Sequence, residues 1–448
     1  MCGINLLFGE NSEIERMNQL LHRRGVRASV AELSEDLFLG HVRLPIQGLD
    51  KKYDHPLSFK SWVGAMVGEI FNYKDLTPHE NTDLMTVLMN ENQPEGYALF
   101  DGFWSIILFD TRHKVVHIIT DHLAKKPLYY RLDRFAFSSE IKTLVELEET
   151  HWDHKYLSAV AKWGYCPEVL TPFKEIKKVP PGVIWTFDQQ GKFLNYDDYL
   201  KIKPTLSSNP YKDIRTYLDR ACKNRLVSDV PISLLMSGGV DSTIIYYLLK
   251  QYTDELTIFH IDNDEAEYLN YIDFRSTDKV IKLSINEDKP LLKHILYLND
   301  GPVDLGSMVP QYLLSKAIKK QGFNVCLSGD GADELFGGYK RYNEYDAQYS
   351  DIFHELVYYH LPRLDKMMMA NTIELRCPFL APKVIKLAMA LPYERRIAKN
   401  GLKAIFQDLV PKPILDRKKK PLRYRVDRRL DFIELYKKLY PEVKDERK

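Results

Sequence analysis

An α+β half followed by an α/β half is the fold that the sequence predicts, on three observations. Short β-rich runs such as Val115–Thr120 and Val183–Phe187, separated by polar turns, dominate the first part of the chain. Beyond residue 210, apolar strand-like runs alternate with segments of helical periodicity, the pattern of a parallel sheet covered by helices. Between the two, Lys201 to Pro210 carries Pro204, Ser207, Ser208 and Pro210 without regular patterning, which places a domain boundary there. The expected domains are residues 2–200 and 211–448.

At the start of the first domain, Cys2 follows the initiator Met. A side chain this small permits removal of Met1, and the freed α-amine titrates near neutrality. It is therefore a general base for the thiol of its own residue. Such a nucleophile suits attack on an amide. A cysteine placed there by chance is the competing explanation, and only its neighbours shift the balance.

In the second domain, Ile232–Met236 reads as a buried parallel strand, and Ile244, Ile245, Leu248 and Leu249 recur at helical spacing. Ser237-Gly238-Gly239-Val240-Asp241-Ser242 is thus a strand-to-helix turn. Its glycines let the backbone approach an anion, the helix start offers N–H groups, and Ser237 and Ser242 add hydroxyl donors. Phosphate fits this setting. A carboxylate beside a phosphate is repulsive unless a cation lies between them, so Asp241 reads as a Mg2+ ligand. No Gly-x-x-x-x-Gly-Lys-Ser/Thr run occurs, which disfavours the ordinary kinase or GTPase loop. A second buried strand, Asn324–Leu327, runs into the glycine-rich, acidic stretch Ser328 to Tyr342. In open parallel sheets ligands bind at the carboxyl ends of strands, so Asp333 is expected to face Asp241 and share the metal.

Composition narrows the class. The 448 residues are too many for one typical core. With 63 Lys and Arg against 62 Asp and Glu, the formal charge is +1, and no global field draws the chain to nucleic acid or membrane. Small-molecule substrates are expected, and a homodimer is the one macromolecular association considered. Five cysteines without zinc spacing fit a reducing cytoplasm. No apolar run approaches the ~20 residues of a membrane helix, and no export signal is recognisable. His354, His360, His113 and His117 lack metal-ligand spacing, and the basic run from Arg417 to Arg429 reads first as a solvated face.

The Ser237–Ser242 loop resembles the pyrophosphate loop of N-type ATP pyrophosphatases, which transfer AMP to a substrate oxygen. Cys2-Gly3-Ile4, Arg24-Gly25, His41-Val42-Arg43-Leu44, Gly68-Glu69-Ile70-Phe71-Asn72 and Asp83 resemble class II glutamine amidotransferases. Asp121 to Tyr130, Ser139-Glu140-Ile141-Lys142 and Pro180-Pro181-Gly182, with Ser328 to Tyr342 and Thr372 to Leu380, are similar to the asparagine synthetase family. The resemblance implies an N-terminal nucleophile fold of stacked antiparallel sheets followed by an ATP pyrophosphatase domain. It implies that Cys2 attacks glutamine, with Arg43, Gly68, Glu69, Asn72 and Asp83 binding it. ATP would be held by Leu235, Ser237, Gly238, Gly239, Asp241, Ser242, Ser328 and Gly329, with Mg2+ on Asp241 and Asp333. Glu374, Lys403 and Lys419 would act in amide formation or pyrophosphate departure, and Ser307 would face aspartate. Ammonia from glutamine would then attack β-aspartyl-AMP.

Three departures qualify that reading. Val67 stands where the family has an oxyanion-hole Asn, a loss that typically lowers turnover about 10²–10³-fold. Arg27 replaces an acid near the pocket, and Ala381 replaces an Asp. An ammonia-dependent synthetase, an enzyme amidating another carboxylate, a relative in which an internal amine closes on the adenylate, and a catalytically silent regulatory relative are the alternatives.

Overall fold

The computed structural model describes residues 2–77, 82–199, 202–261, 266–283, 291–303, 305–339, 351–417 and 431–445. Among them, two six-stranded antiparallel sheets form the first half. One runs in the order Ile176–Lys178, Tyr129–Arg131, Ala136–Ser138, Gly3–Phe8, Leu37–Arg43, Arg27–Ser34; the other in the order Phe193–Asp198, Val183–Asp188, Val115–Thr120, Gly102–Asp110, Trp62–Ile70, Leu57–Phe59. Strand alternation explains the stacking. Ile4, Leu6, Leu39, Ala65, Val67, Ile107 and Ile118 share the core between the sheets. Their neighbours point outward, Leu7 to the helix Asn11–Leu20 and Met66 to the helix Asp83–Met89. Both faces of both central strands are therefore apolar, which produces four layers with helices outside.

The second half is a five-stranded parallel sheet in the order Lys279–Leu283, Thr257–Ile261, Ile232–Leu235, Val325–Leu327, Glu374–Arg376. The strand expected over Asn324–Leu327 begins at Val325, and the one expected to reach Met236 ends at Leu235. Strand order reverses between Ile232–Leu235 and Val325–Leu327, which are hydrogen-bonded neighbours. Such a reversal opens a crevice at the carboxyl ends, and both glycine loops leave the sheet there.

The halves are fastened by buried charge. Arg24 pairs with Asp365 at 2.7 Å, Lys126 with the same carboxylate at 2.5 Å, and Arg225 with Asp101 at 2.9 Å. Burial alone would raise Asp365, but Arg24 and Lys126 outweigh it and hold the carboxyl well below the usual range. Phe71 lies beneath two guanidiniums of the second half, 4.7 Å from Arg225 and 5.0 Å from Arg376. Desolvated contacts of this kind are worth about 2 kcal/mol each. All five cysteines are free thiols. Among the described residues no helix is long and apolar enough to cross a membrane.

Candidate active sites

The first site forms where Gly3–Phe8 begins. Cys2 is half-buried against the inter-sheet core that contains Val67, Phe71 and Phe103. Its carbonyl accepts a hydrogen bond from Arg24 Nε at 3.0 Å. Burial raises the thiol above its ordinary value, while the amino-terminal charge, an N–H bond from Leu44 and the Arg43 guanidinium oppose the rise. Arg43 and Glu69 are thus both within electrostatic reach of the thiol. Gly68, in the strand Trp62–Ile70, has φ +135°, and a Cβ there would overlap the Phe103 carbonyl oxygen. Only glycine fits. Val67 is 1% exposed and turned into the apolar core, so the chain offers no side-chain donor at that position.

Glu69 and Asp83 are both buried. Burial pushes Glu69 well up, and the nearby Glu374 and Asp83 carboxylates push it further. Asp83 is pushed up to about 6 by burial, although it accepts N–H bonds from Ile70 at 3.1 Å and Leu84 at 2.9 Å. A cationic ligand between them would bring both down. Asn72 uses both ends of its amide on another segment. Its amide donates to the Leu99 carbonyl at 3.0 Å and accepts from Asp101 N–H at 2.7 Å, so it braces the 99–101 turn.

The second site lies at the sheet reversal. The helix Val240–Leu249 starts at Gly239 without a side-chain cap, which leaves first-turn N–H groups facing the crevice. Leu235 ends the strand. Ser242 Oγ accepts from Ser237 N–H at 3.2 Å, and Gly239 N–H donates to Ser237 Oγ at 3.3 Å, so both hydroxyls line the turn. Ser328 is buried at the end of the neighbouring strand, and a Cβ on Gly329 would come within 2.8 Å of Asp241 Cβ. The two loops touch.

One residue between them was not among the sequence candidates. Lys399 Nζ lies 2.5 Å from Asp241 and 2.6 Å from Asp333. Ala398 and Lys399 have φ of +54° and +61°, a bend held by N–H bonds to the carbonyls of Gly337 at 2.9 Å and Phe336 at 2.8 Å. The bend brings the lysine to the loop that carries Asp333. Lys403, one helical turn further along Asn400–Ile405, is half-buried and forms no ion pair with either carboxylate among the described residues. Lys399 and Lys403 are four residues apart in the sequence, and that spacing does not say which lysine follows a bend. Arg417 Nη1 donates to the Ser237 carbonyl at 3.1 Å, which adds a second cation at the turn. Lys419 lies outside the described residues.

Two other candidates are held by partners outside the phosphate loops. Glu374 opens its strand opposite Val325, at the amino end of the sheet, fully buried and paired with Arg376 Nε at 2.6 Å. Three residues of strand, roughly 10 Å, separate that level from Ser328. Glu374 instead lies within electrostatic reach of Glu69 and Asp83, where its charge pushes both upward. Ser307, on the helix Leu305–Lys320, accepts a hydrogen bond from Arg363 at 2.6 Å. Arg363 contacts His360 Nδ1 at 3.1 Å, and His360 lies 3.8 Å from Glu334, the residue after Asp333. Burial pushes Glu334 up to about 7. Ala381 precedes the helix Pro382–Met389 and gives it no side-chain cap. That departure therefore touches helix capping.

The asparagine synthase family model matches residues 213–349 and 345–447, and a glutamine amidotransferase domain model matches residues 1–199. Asparagine synthetase B [glutamine-hydrolyzing] of Escherichia coli is 26% identical over 462 residues, covering 90% of this chain and 77% of that protein. Asparagine synthetase [glutamine-hydrolyzing] 3 of Arabidopsis thaliana is 27% identical, covering 94% and 78%. A Bacillus subtilis homologue, asparagine synthetase [glutamine-hydrolyzing] 1, is 27% identical over 74% of this chain, which spans 56% of its length. Glutamine phosphoribosylpyrophosphate amidotransferase from B. subtilis superposes with a TM-score of 0.33 at 10% identity, covering 73% of this chain and 81% of that one.

Proposed function

This chain belongs to the asparagine synthase family, and from that premise we propose that it converts aspartate to asparagine with glutamine as nitrogen donor and ATP as the activating nucleotide. The observation that carries the proposal is the pairing, in one chain, of a Cys2 pocket with Asp241, Asp333 and Lys399 at the sheet reversal. The proposed domains keep the boundary at residues 201–210, and the proposed setting is the cytoplasm.

Cys2 attacks the glutamine carboxamide while its own amine takes the thiol proton, Arg43 holds the α-carboxylate, and Glu69 with Asp83 holds the α-ammonium. The C–N bond then breaks as the amine returns that proton to the departing ammonia, and water cleaves the thioester to free glutamate. Gly68 N–H steadies the oxyanion without the usual second donor. In the second site an aspartate β-carboxylate oxygen attacks the α-phosphorus of ATP. The P–O bond to the β-phosphate breaks, leaving β-aspartyl-AMP and pyrophosphate. Ser237, Ser242 and the open helix start grip the pyrophosphate, and Lys399 and Arg417 neutralise charge as it departs. Ammonia then attacks the acyl carbon and AMP leaves. Glu374, buried beside the first-site carboxylates, accepts hydrogen bonds from ammonia in transit and so guides it toward the adenylate.

The residues present suit Mg2+. Asp241 Oδ1 is buried without a hydrogen-bond partner among the described residues, and the second carboxylate converges on the same lysine. Asp241 and Asp333 would hold the ion, which would supply positive charge to the pyrophosphate oxygens. Among the described residues no group of three or more His, Cys, Asp or Glu converges, so phosphate and water oxygens would complete its shell.

The deciding experiment supplies aspartate and magnesium ATP with either ammonium or glutamine and quantifies asparagine and AMP. Equal yields of the two products with both donors are expected. Asparagine from neither would refute the proposal.

A further inference from the structure

The glutamine pocket already holds a carboxamide and a carboxylate, both from this chain. Gln47 Nε2 donates to Glu69 Oε2, while Gln47 Oε1 is buried with no hydrogen-bond partner among the described residues. Asp54 Oδ1 accepts from Arg43 Nη1 at 2.7 Å, and the carbonyls of Gln47 and Gly48 take Arg43 Nη2 at 2.7 and 2.8 Å. Arg27 secures the arrangement, donating to Asp54 at 3.1 Å and to the Leu49 carbonyl at 2.9 Å. Leu44, where the same segment begins, bonds the Cys2 thiol through its N–H.

We propose that Gln47 and Asp54 are an internal competitor of the nitrogen donor, the Gln47 amide filling the α-ammonium seat on Glu69 and the Asp54 carboxylate filling the α-carboxylate seat on Arg43. This rests on the assignment of Arg43 and Glu69 as the glutamine anchors. The segment is tethered at its far side, where Gly48 N–H donates to Asp229 at 2.7 Å and Asp229 N–H to the Ile46 carbonyl at 2.8 Å. A tethered rival acts at high effective concentration and lowers apparent affinity by the fraction of molecules in which the seat is open. The competitor is only half satisfied. The Oε1 of Gln47 regains water when the side chain swings out, so an incoming α-amino acid can replace both groups together. The donor class is therefore an α-amino acid carrying both charges, because a simple amide would displace neither.

The test is calorimetric titration of glutamine into full-length protein in a Cys2→Ala background, which prevents turnover. Gln47→Ala and Asp54→Ala are each expected to tighten glutamine binding by about tenfold, the size of one charge-assisted hydrogen bond no longer displaced, and the double variant by more. Unchanged or weaker binding in both would overturn the proposal and make the two residues ligands or scaffolding. Arg43→Ala separates the underlying assignment: glutamine binding that survives it undiminished shows that Arg43 is not the anchor. Loss of binding in Arg43→Ala without tightening in the other two sinks the competitor alone. Circular dichroism spectra that match the parent establish that each variant is folded.

Discussion

Replacing Lys399 by Met removes one ammonium from between two carboxylates while keeping the length and most of the apolar stem. Nζ sits 2.5 Å from Asp241 and 2.6 Å from Asp333, with the three side chains 10%, 18% and 14% exposed. The carboxylates can be no more than about 5 Å apart, and at an effective dielectric of about 20 their repulsion is about 3 kcal/mol. In the parent Lys399 offsets that repulsion. Lys399→Met leaves it uncompensated, so without nucleotide stability should fall by about 3–5 kcal/mol, the usual cost of removing one partner of a buried ion pair, much of it recovered with magnesium ATP. In turnover the loss is of one preorganised charge on the departing pyrophosphate, which lowers adenylation about 10²–10³-fold. Aspartate-dependent pyrophosphate release, with thermal unfolding in parallel, reads both effects. Lys403→Met serves as the comparison and should stay within a few-fold of the parent. If Lys403→Met abolished pyrophosphate release while Lys399→Met retained it, the assignment drawn from the ion-pair geometry would be wrong. Lys399→Arg, which keeps the charge, should restore stability more than rate.

Cys2→Ala should remove glutamine-driven synthesis and leave ammonium-driven synthesis, whereas Asp241→Asn should abolish both; equal losses in all arms would contradict two separable sites. Asp83 must be ionised to hold an ammonium and is pushed up to about 6, so kcat/KM for glutamine should rise with pH through about 6 and then level. Asp83→Asn should erase that limb. Because its folded value is raised, ionising Asp83 costs the folded state, and stability falls as pH rises from the ordinary carboxylate range to about 6. Asp365 is the opposite case. Its depressed value supplies stability above about pH 4 that disappears as pH falls, and Asp365→Asn, which strands Arg24 and Lys126, should cost about 3–5 kcal/mol in urea unfolding.

Much of this protein could be read from residue order because the relevant signals are local. Alternating apolar residues force a strand to have two faces, and glycines after a buried strand force a turn that admits phosphate. Ser237 to Ser242, Ser328, Gly329 and Asp333 therefore lie where their spacing put them, at the carboxyl ends of neighbouring strands. Gly68, by contrast, is required by the close approach of Phe103 on the neighbouring strand, a contact between residues 35 apart in sequence.

What sequence did not determine is where long side chains end. Lys399 and Lys403 are one helical turn apart, and only the left-handed bend at Ala398 and Lys399, held by the Phe336 and Gly337 carbonyls, turns one of them to the carboxylates. Asn72 belongs to a glutamine-binding pattern yet spends its amide on the 99–101 turn, and Glu374 is drawn to Arg376 at the border between the halves. The roles of Gln47, Asp54 and Arg27 depend on three segments far apart in sequence meeting on Arg43 and Glu69. Sequence set the backbone and its anion-binding turns, because those follow from short-range stereochemistry. Partner choice among buried charges was decided by tertiary structure, because each charge settles where desolvation is best repaid by neighbours that the chain brings in from a distance.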